Sequence, residues 1–575
     1  MNLSLRKHRG NPKVIASFEP EFLRDSAAGI ATLLLLALSL SAYGAEHFVK
    51  NEQDRARIEQ AVPEKAPARP AKPRRLLIFT LNVGYGGHPS MAYANEAFTL
   101  MGKRTGAFET TISEDPAVFE RESLSQFDAV FFNNTVGNCF TNPMLRENLL
   151  EFIAGGGGLL GVHGTTVAFT RWPGAFEDWP EFGYLLGARG ANHKDSQEHL
   201  WLKLDDPDHP LNRAFEGKGF DYRDEFFRPQ GTYSRRLVRV LLSIDTHRCD
   251  PNQGQPRGNC YRADNDYGVA WVRNYGRGRV FYCTIAHNPY VFWDPRMLQF
   301  YLAAVQFALG DLPAPTTPSA RLTPALRAHE RLGWRAGLAV GNPETSTVFQ
   351  TLEQAGRVGP AYVELSTAQF LSKQNPRAFD PRLTDAELGE VRLRLDAAGL
   401  RLVACEVESF PIDEPSCRKL FAFGRKMGVE TLIGVPRLEQ LSLVEKLCDE
   451  FDMNLALDGR DAASPVQYRL PEESLKTCAH RSRRVGVCGD VLAWRQAGID
   501  PVPAARVLGD RLLVLRLDEP SAVGARRAMA NLLAEIRYRR IKPTVFIFPY
   551  QELGPELTRR LDAFDKTALK LVQEP

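Results

Sequence analysis

The stretch Gly155-Gly156-Gly157-Gly158-Leu159-Leu160-Gly161-Val162-His163-Gly164-Thr165-Thr166 decides how this chain is read. A short apolar run, Gly158 to Val162, lies between glycines and is followed at once by a histidine and another glycine. That pattern predicts a buried strand running into a tight turn, where glycine lets the backbone bend without a Cβ clash. A strand-to-helix elbow of this kind is expected to expose one side chain, here His163. Because the tip is an imidazole and not a hydroxyl or thiol, acyl-enzyme chemistry is not the natural reading.

Outward from the elbow, strands and helices alternate. Leu76 to Thr80 and Phe127 to Phe132 read as buried strands, and Met91 to Met101 and Asn142 to Ala154 as helices. Trp271 to Ile285 reads as two strands joined at Tyr275-Gly276-Arg277-Gly278, and the helix Pro295 to Leu309 closes the domain. Alternation of this kind predicts an α/β fold with a doubly wound, mostly parallel sheet. Ligands bind such sheets at the carboxyl ends of the strands, and that rule gives the histidines their meaning. His88 follows the first strand, His163 the elbow strand and His287 the strand Arg279 to Ile285. His193 lies in a loop ahead of His199 to Leu204, and Asp224-Glu225 sits in the aromatic-flanked stretch Phe220 to Phe227.

These pieces together resemble the ThuA-like (trehalose-utilisation) family, whose fold is similar to class I glutamine amidotransferases. The residues that carry the resemblance are Gly-Gly-His88-Pro-Ser, the Gly155 to Gly164 stretch, Asn192-His193, Asp205-Asp206-Pro207-Asp208-His209-Pro210, Asp224-Glu225, and Gly278-Arg279-Val280-Phe281-Tyr282 leading to His287. The resemblance implies a carbohydrate-linked role. It puts His163, Glu225 and His287 in the catalytic positions and His88, His193 and Asp224 in contact with substrate. Imidazoles grouped with one carboxylate suit either a divalent transition-metal centre, with His88, His163, His193 and His287 as candidate ligands, or acid/base chemistry on sugar hydroxyls. His209, in an Asp-His-Pro turn, is assigned to backbone geometry. Cys139 is the cysteine best placed to act as a nucleophile, but no base stands near it in the sequence.

The second half counts out as eight strand and helix pairs, with strands beginning near Ala336, Ala361, Arg401, Glu430, Asn454, Val485, Leu512 and Thr544. Eight such pairs predict a (β/α)8 barrel. Val485 to Asp490 through Trp494, and Ala497-Gly498-Ile499-Asp500-Pro501, resemble the xylose isomerase-like sugar isomerases and epimerases. Barrels of that family bind a divalent metal with carboxylates and histidines at the strand ends. Here Val435, Ala493, Arg516 and Pro549 stand where a Glu, two His and a last-strand Glu are expected. Valine and proline cannot ligate a metal, so the barrel is read as a pseudoenzyme, with Asp458, Asp490 and Asp518 as a remnant acidic set for a hard cation. Glu364, Glu406 and Glu408 are expected to face the barrel mouth, either free or salt-bridged within it.

A chain of 575 residues is long enough for two such domains, expected at 75–312 and 332–572 with a linker at 313–331. A formal net charge of +3 on this length gives no electrostatic case for nucleic acid. Basic residues before the apolar run Ala27 to Leu40, and the small residues after it, predict that 1–45 is an export signal, or a membrane anchor if uncleaved. The Pro-, Ala- and charge-rich residues 46–74 read as a disordered linker. Export implies an oxidising compartment, in which Cys249 and Cys260 are expected to close the loop between them as a disulfide. The chain is therefore expected to be an exported carbohydrate-related protein with a sugar-processing or sugar-binding site in its first domain. The alternatives are a non-catalytic carbohydrate-binding or assembly protein, and a sugar isomerase or epimerase acting through the barrel.

Overall fold

Alternation of apolar residues along the central strands sorts them onto two faces, and this is what lets helices cover both. Leu76, Ile78, Phe131, Leu160 and Val162 pack toward the helices Met91–Thr105 and Pro295–Leu309. Leu77, Phe79, Val130, Phe132 and Leu159 face the opposite layer, which holds Pro143–Ala154 and Pro180–Leu186. Strands buried on both faces read as continuous apolar runs, the signal visible in the sequence. The structure, a computed structural model, describes residues 47–174, 176–252, 260–340, 343–459, 470–517 and 524–573. The expected export signal and Asp518 lie outside the described residues.

The sheet has nine strands in the order Glu109–Ser113, Arg75–Phe79, Ala129–Asn133, Gly158–Val162, Gly278–Cys283, Gly268–Tyr275, Arg239–Ile244, Glu198–Leu204, Phe220–Asp224. The first five are mutually parallel and form the doubly wound part. The others continue it antiparallel, ending in the strand that carries Asp224. The second half closes as an eight-stranded parallel barrel from Ala336–Val340 to Val545–Tyr550. Inside it lies a small apolar plug of Ala, Val, Ile, Leu and Cys side chains, and between its strands and outer helices a much larger core. Among the described residues, no helix is long and apolar enough to cross a membrane.

Several expectations are corrected. Residues 46–74 are not a disordered linker throughout: Glu52–Ala61 is a helix, capped by the Asn51 side chain accepting from the Gln53 and Asp54 amides. Ile58 and Val62 are its anchors in the first domain's core, and Arg55 pairs with the buried Glu96 at 3.1 Å. Downstream, Ala68 exchanges hydrogen bonds with the Gln306 side chain at 2.8 and 2.6 Å. Two apolar anchors are too few to give a helical period in the sequence, and docking supplies the remaining stability. The elbow exists, with His163 at φ 41°, but it leads into a 3-10 helix, His163–Val167, and the imidazole is fully buried instead of exposed. Cys249 and Cys260 are free thiols, not a disulfide; the Cys249 sulfur faces the backbone carbonyls of Trp201 and Asp245.

Candidate functional site

Three loops at the carboxyl ends of parallel strands bring the imidazoles together. Asn134, at φ 55°, ties these loops to one another: its Oδ1 accepts from the Gly164 amide at 3.2 Å and its Nδ2 donates to the Ala286 carbonyl at 3.2 Å. Gly164 is required for close approach, because a Cβ there would lie 2.8 Å from the His88 ring. The ring centroids of His88 lie 4.8 Å from His163 and 5.4 Å from His287. Glu225 reaches in from the end of the sheet's last strand, with Oε2 3.1 Å from His163 Nε2 and 3.3 Å from His287 Nδ1. Its other oxygen meets His193 Nδ1 at 3.1 Å, at the more exposed edge.

Donor and acceptor roles in this group are constrained. His163 Nδ1 lies 2.9 Å from the Thr284 carbonyl, which can only accept, so Nδ1 carries the hydrogen. In the neutral ring Nε2 is then a lone pair, and it faces the Glu225 carboxylate and, at 3.3 Å, His287 Nδ1. Burial lowers the His163 pKa and so favours that neutral ring. Burial also works to raise Glu225, but a proton held between it and His163, with the hydrogen bonds from His193 and His287, would bring it well below the ordinary carboxylate range. Two acceptors in contact are unfavourable unless a positive centre, a proton or a metal ion, sits between them. His88 makes a hydrogen bond to the Asn134 backbone, and its Nδ1 is buried with no partner. Burial, with repulsion from His163 and His287, pushes its pKa down to about 2, so it too offers a lone pair. The nearest donor atoms of His88, His163, Glu225 and His287 all lie within 4.8 Å of one another. Three imidazole nitrogens and one carboxylate are a donor set suited to a divalent transition metal, and imidazole N–H groups tied to backbone carbonyls are the usual outer support of such ligands.

His193 differs from the other three. It is half-exposed at the mouth of the site, and its hydrogen bond to Glu225, opposed by burial, raises its pKa. Asp224, expected to touch substrate, is fully buried behind the site. Its carboxylate accepts from the His287 and Asn288 amides, both at 3.1 Å, and burial pushes its pKa up to about 7. It positions the His287 loop. Residues the sequence reading missed are aromatic: Phe227 lies against His163 with ring centroids 3.9 Å apart, and Tyr85 bridges His88 and Trp172 at 5.0 and 5.7 Å. Tyr85 sits between glycines three residues before His88, a signal open to notice; Trp172 carried none. Cys139 is buried, and burial pushes its thiol up to about 12, which removes it as a nucleophile. His209 is a helix cap, its Nδ1 accepting from the Leu211 amide.

Residues 75–308 match the ThuA family model, described as trehalose utilisation. The whole histidine and glutamate cluster therefore falls inside the ThuA domain. Among solved structures, the chain is similar to a putative ThuA-like protein from Bacteroides uniformis, at 20% identity over 42% of this chain and 94% of that one, TM-score 0.34. It is also similar to an uncharacterised protein from Parabacteroides distasonis, at 22% identity over 40% and 98%, TM-score 0.35. A D-psicose 3-epimerase from Clostridium cellulolyticum is similar at 12% identity over 41% and 96%, TM-score 0.31. No curated protein matches the chain.

The barrel that follows the ThuA domain gathers acidic groups at the same kind of place and neutralises them itself. Arg516, 1% exposed at the end of the seventh barrel strand, donates to Asp458 at 2.9 Å, to Glu406 at 3.2 Å and to Glu364. Asp490, the other described member of the expected cation set, caps a helix by accepting from the Ala493 amide at 2.9 Å. The described part of the remnant set is thus committed to a guanidinium and a helix cap.

Proposed function

We propose that the ThuA domain processes a carbohydrate at a centre in which His88, His163, His287 and Glu225 hold a divalent transition-metal ion. The observation that carries this reading is the lone pair of His163 Nε2 facing the Glu225 carboxylate at 3.1 Å. A carbohydrate role is supported by the family match at 75–308. The aromatic rim of Tyr85 and Trp172 suits the apolar face of a sugar ring. When bound, the metal would act as a Lewis acid on a sugar carbonyl or hydroxyl. Asp224 and the Thr284 carbonyl orient the His287 loop and the His163 ring, and Phe227 keeps water from the buried side of the site. His193, beside Glu225 at the mouth, is placed to exchange a proton with a bound sugar oxygen.

The barrel, on this reading, is a scaffold, because Arg516 occupies its acidic mouth. The same observation favours the second reading, a carbohydrate-binding or assembly protein without turnover. Export completes the proposal, and N-terminal sequencing of the mature protein tests it. Elemental analysis of the purified chain, followed by a binding and turnover screen over trehalose and oxidised sugars, tests the rest. One equivalent of transition metal, lost in His163→Ala together with sugar binding or turnover, is expected. No metal in the wild type, with every assay unchanged in His163→Ala, would overturn the proposal.

A further inference from the structure

Between the two domains, at the end of the barrel opposite Arg516, lies a cavity of about 740 Å³ that neither domain's candidate site uses. Its size falls within the roughly 300–1,000 Å³ of small-molecule pockets. Its walls come from the first domain's hairpin turn at Arg277, from the segment after Leu309, and from residues just before or at the start of barrel strands, including Arg335, Tyr362 and Arg401. Nine arginines line it against five aspartates and glutamates, with no lysine, so the wall carries a surplus of guanidinium charge.

Most of these arginines are already paired. Arg239 meets Asp206 at 2.6 Å and Glu330 at 2.7 Å, and Arg335 and Arg401 share Glu430 at 2.6 and 3.2 Å. Two stand apart. Arg279 donates to the Ala308 and Gly156 carbonyls at 3.0 and 2.7 Å, and among the described residues no carboxylate lies within ion-pair distance of it. Burial, with repulsion from Arg74, Arg277 and Arg401, pushes its pKa down to about 10. Arg277 reaches the exposed Asp452 through Nη2 at 2.8 Å, while its Nη1 is buried with no partner. Arg279 is a partly buried cation with no ion pair and Arg277 has only the exposed Asp452, and a guanidinium fork matches a phosphate oxygen pair in both charge and spacing.

We propose that this cavity binds a phosphorylated small molecule, with Arg277 and Arg279 on the phosphate and the ring of Tyr362 beside the organic part. A phosphate ester and free inorganic phosphate share the recognising chemistry, and the size of the cavity favours the ester. Such a ligand would touch both domains at once, which makes it a candidate clamp on their arrangement.

Calorimetric titration of the full chain, with EDTA present to remove any ion from the histidine centre, tests this with glucose 6-phosphate, inorganic phosphate and glucose as probes. Saturable binding of glucose 6-phosphate is expected, weakened about tenfold or more by Arg277→Gln. Asp452→Asn, which removes the external ion pair and keeps the guanidinium, should bind like the wild type. Arg277→Lys, which keeps the charge without the fork, should fall between them and serves if Arg277→Gln does not fold. Inorganic phosphate binding as tightly as the ester would support the site and name free phosphate as its occupant. The proposal is overturned if neither phosphate binds at millimolar concentration, if folded Arg277→Gln binds as the wild type does, or if glucose competes fully with its phosphate ester.

Discussion

The histidine centre of the ThuA domain and the mouth of the barrel are built alike and end differently. Both collect side chains at the carboxyl ends of parallel strands, and both place carboxylates beside nitrogen groups. In the first, the nitrogen groups are imidazoles, and burial favours the neutral rings of His88 and His163, so their lone pairs are left around Glu225. In the second, the nitrogen group is the guanidinium of Arg516, permanently charged and donor-only, and it satisfies Glu364, Glu406 and Asp458 directly. The difference teaches that acidic residues at a strand end do not by themselves make a site. A site remains where the surrounding groups cannot neutralise one another.

The largest expected effect lies on the histidine side of this comparison. Glu225→Gln keeps the shape and removes the charge on which three imidazoles converge. Turnover of whichever carbohydrate the wild type accepts should fall by about 10²–10⁴-fold in kcat/KM, with loss of bound metal by elemental analysis. An unchanged rate would mean that the lone-pair arrangement is only structural.

On the barrel side, Arg516→Met leaves buried carboxylates without their partner. Removing one member of a buried ion pair costs about 3–5 kcal/mol, read as an early unfolding transition in denaturant. Added Mn²⁺ should recover part of that loss in the variant and nothing in the wild type. Equal responses would erase the contrast between the two mouths.

His209, a histidine in neither site, supplies a control. Its Nδ1 accepts from the Leu211 amide and its Nε2 donates to the Pro315 carbonyl at 3.0 Å, so the neutral ring uses both nitrogens. Burial, with Arg239 nearby opposed by Asp206, brings its pKa down to about 4, against an ordinary value near 6.5. The unfolded chain takes up a proton that the native chain refuses. The contribution to stability is therefore full above about pH 6.5 and is lost as pH falls toward about 4. His209→Gln should flatten the melting temperature across that window while leaving metal content unchanged.

The smallest expected effect tests the aromatic rim. Trp172→Ala should weaken carbohydrate binding by about 0.5–1.5 kcal/mol, roughly two- to twelvefold in Kd, without altering metal content. A loss confined to kcat would place Trp172 away from the bound sugar.

Much of this was legible without coordinates. The barrel strands begin within a residue of where the apolar runs placed them, and His88, His163 and His287, read as following strands, meet there with Glu225 and, at the edge, His193. The helix Glu52–Ala61 was not legible, because its two anchors gain their meaning from the surface they dock against. Nor was the free state of Cys249 and Cys260, since two cysteines flanking a loop say nothing of which way each sulfur turns.

By itself, the sequence determined the two sheets and the loops that carry reactive side chains, because periodicity and glycine placement act locally along the chain. Only the tertiary structure decided that His163 Nδ1 is claimed by the Thr284 carbonyl, that Arg516 closes the barrel mouth and that Asp224 stands behind the site. Those outcomes depend on which donor meets which acceptor across long stretches of chain, and hydrogen bonding and charge neutralisation are settled in space.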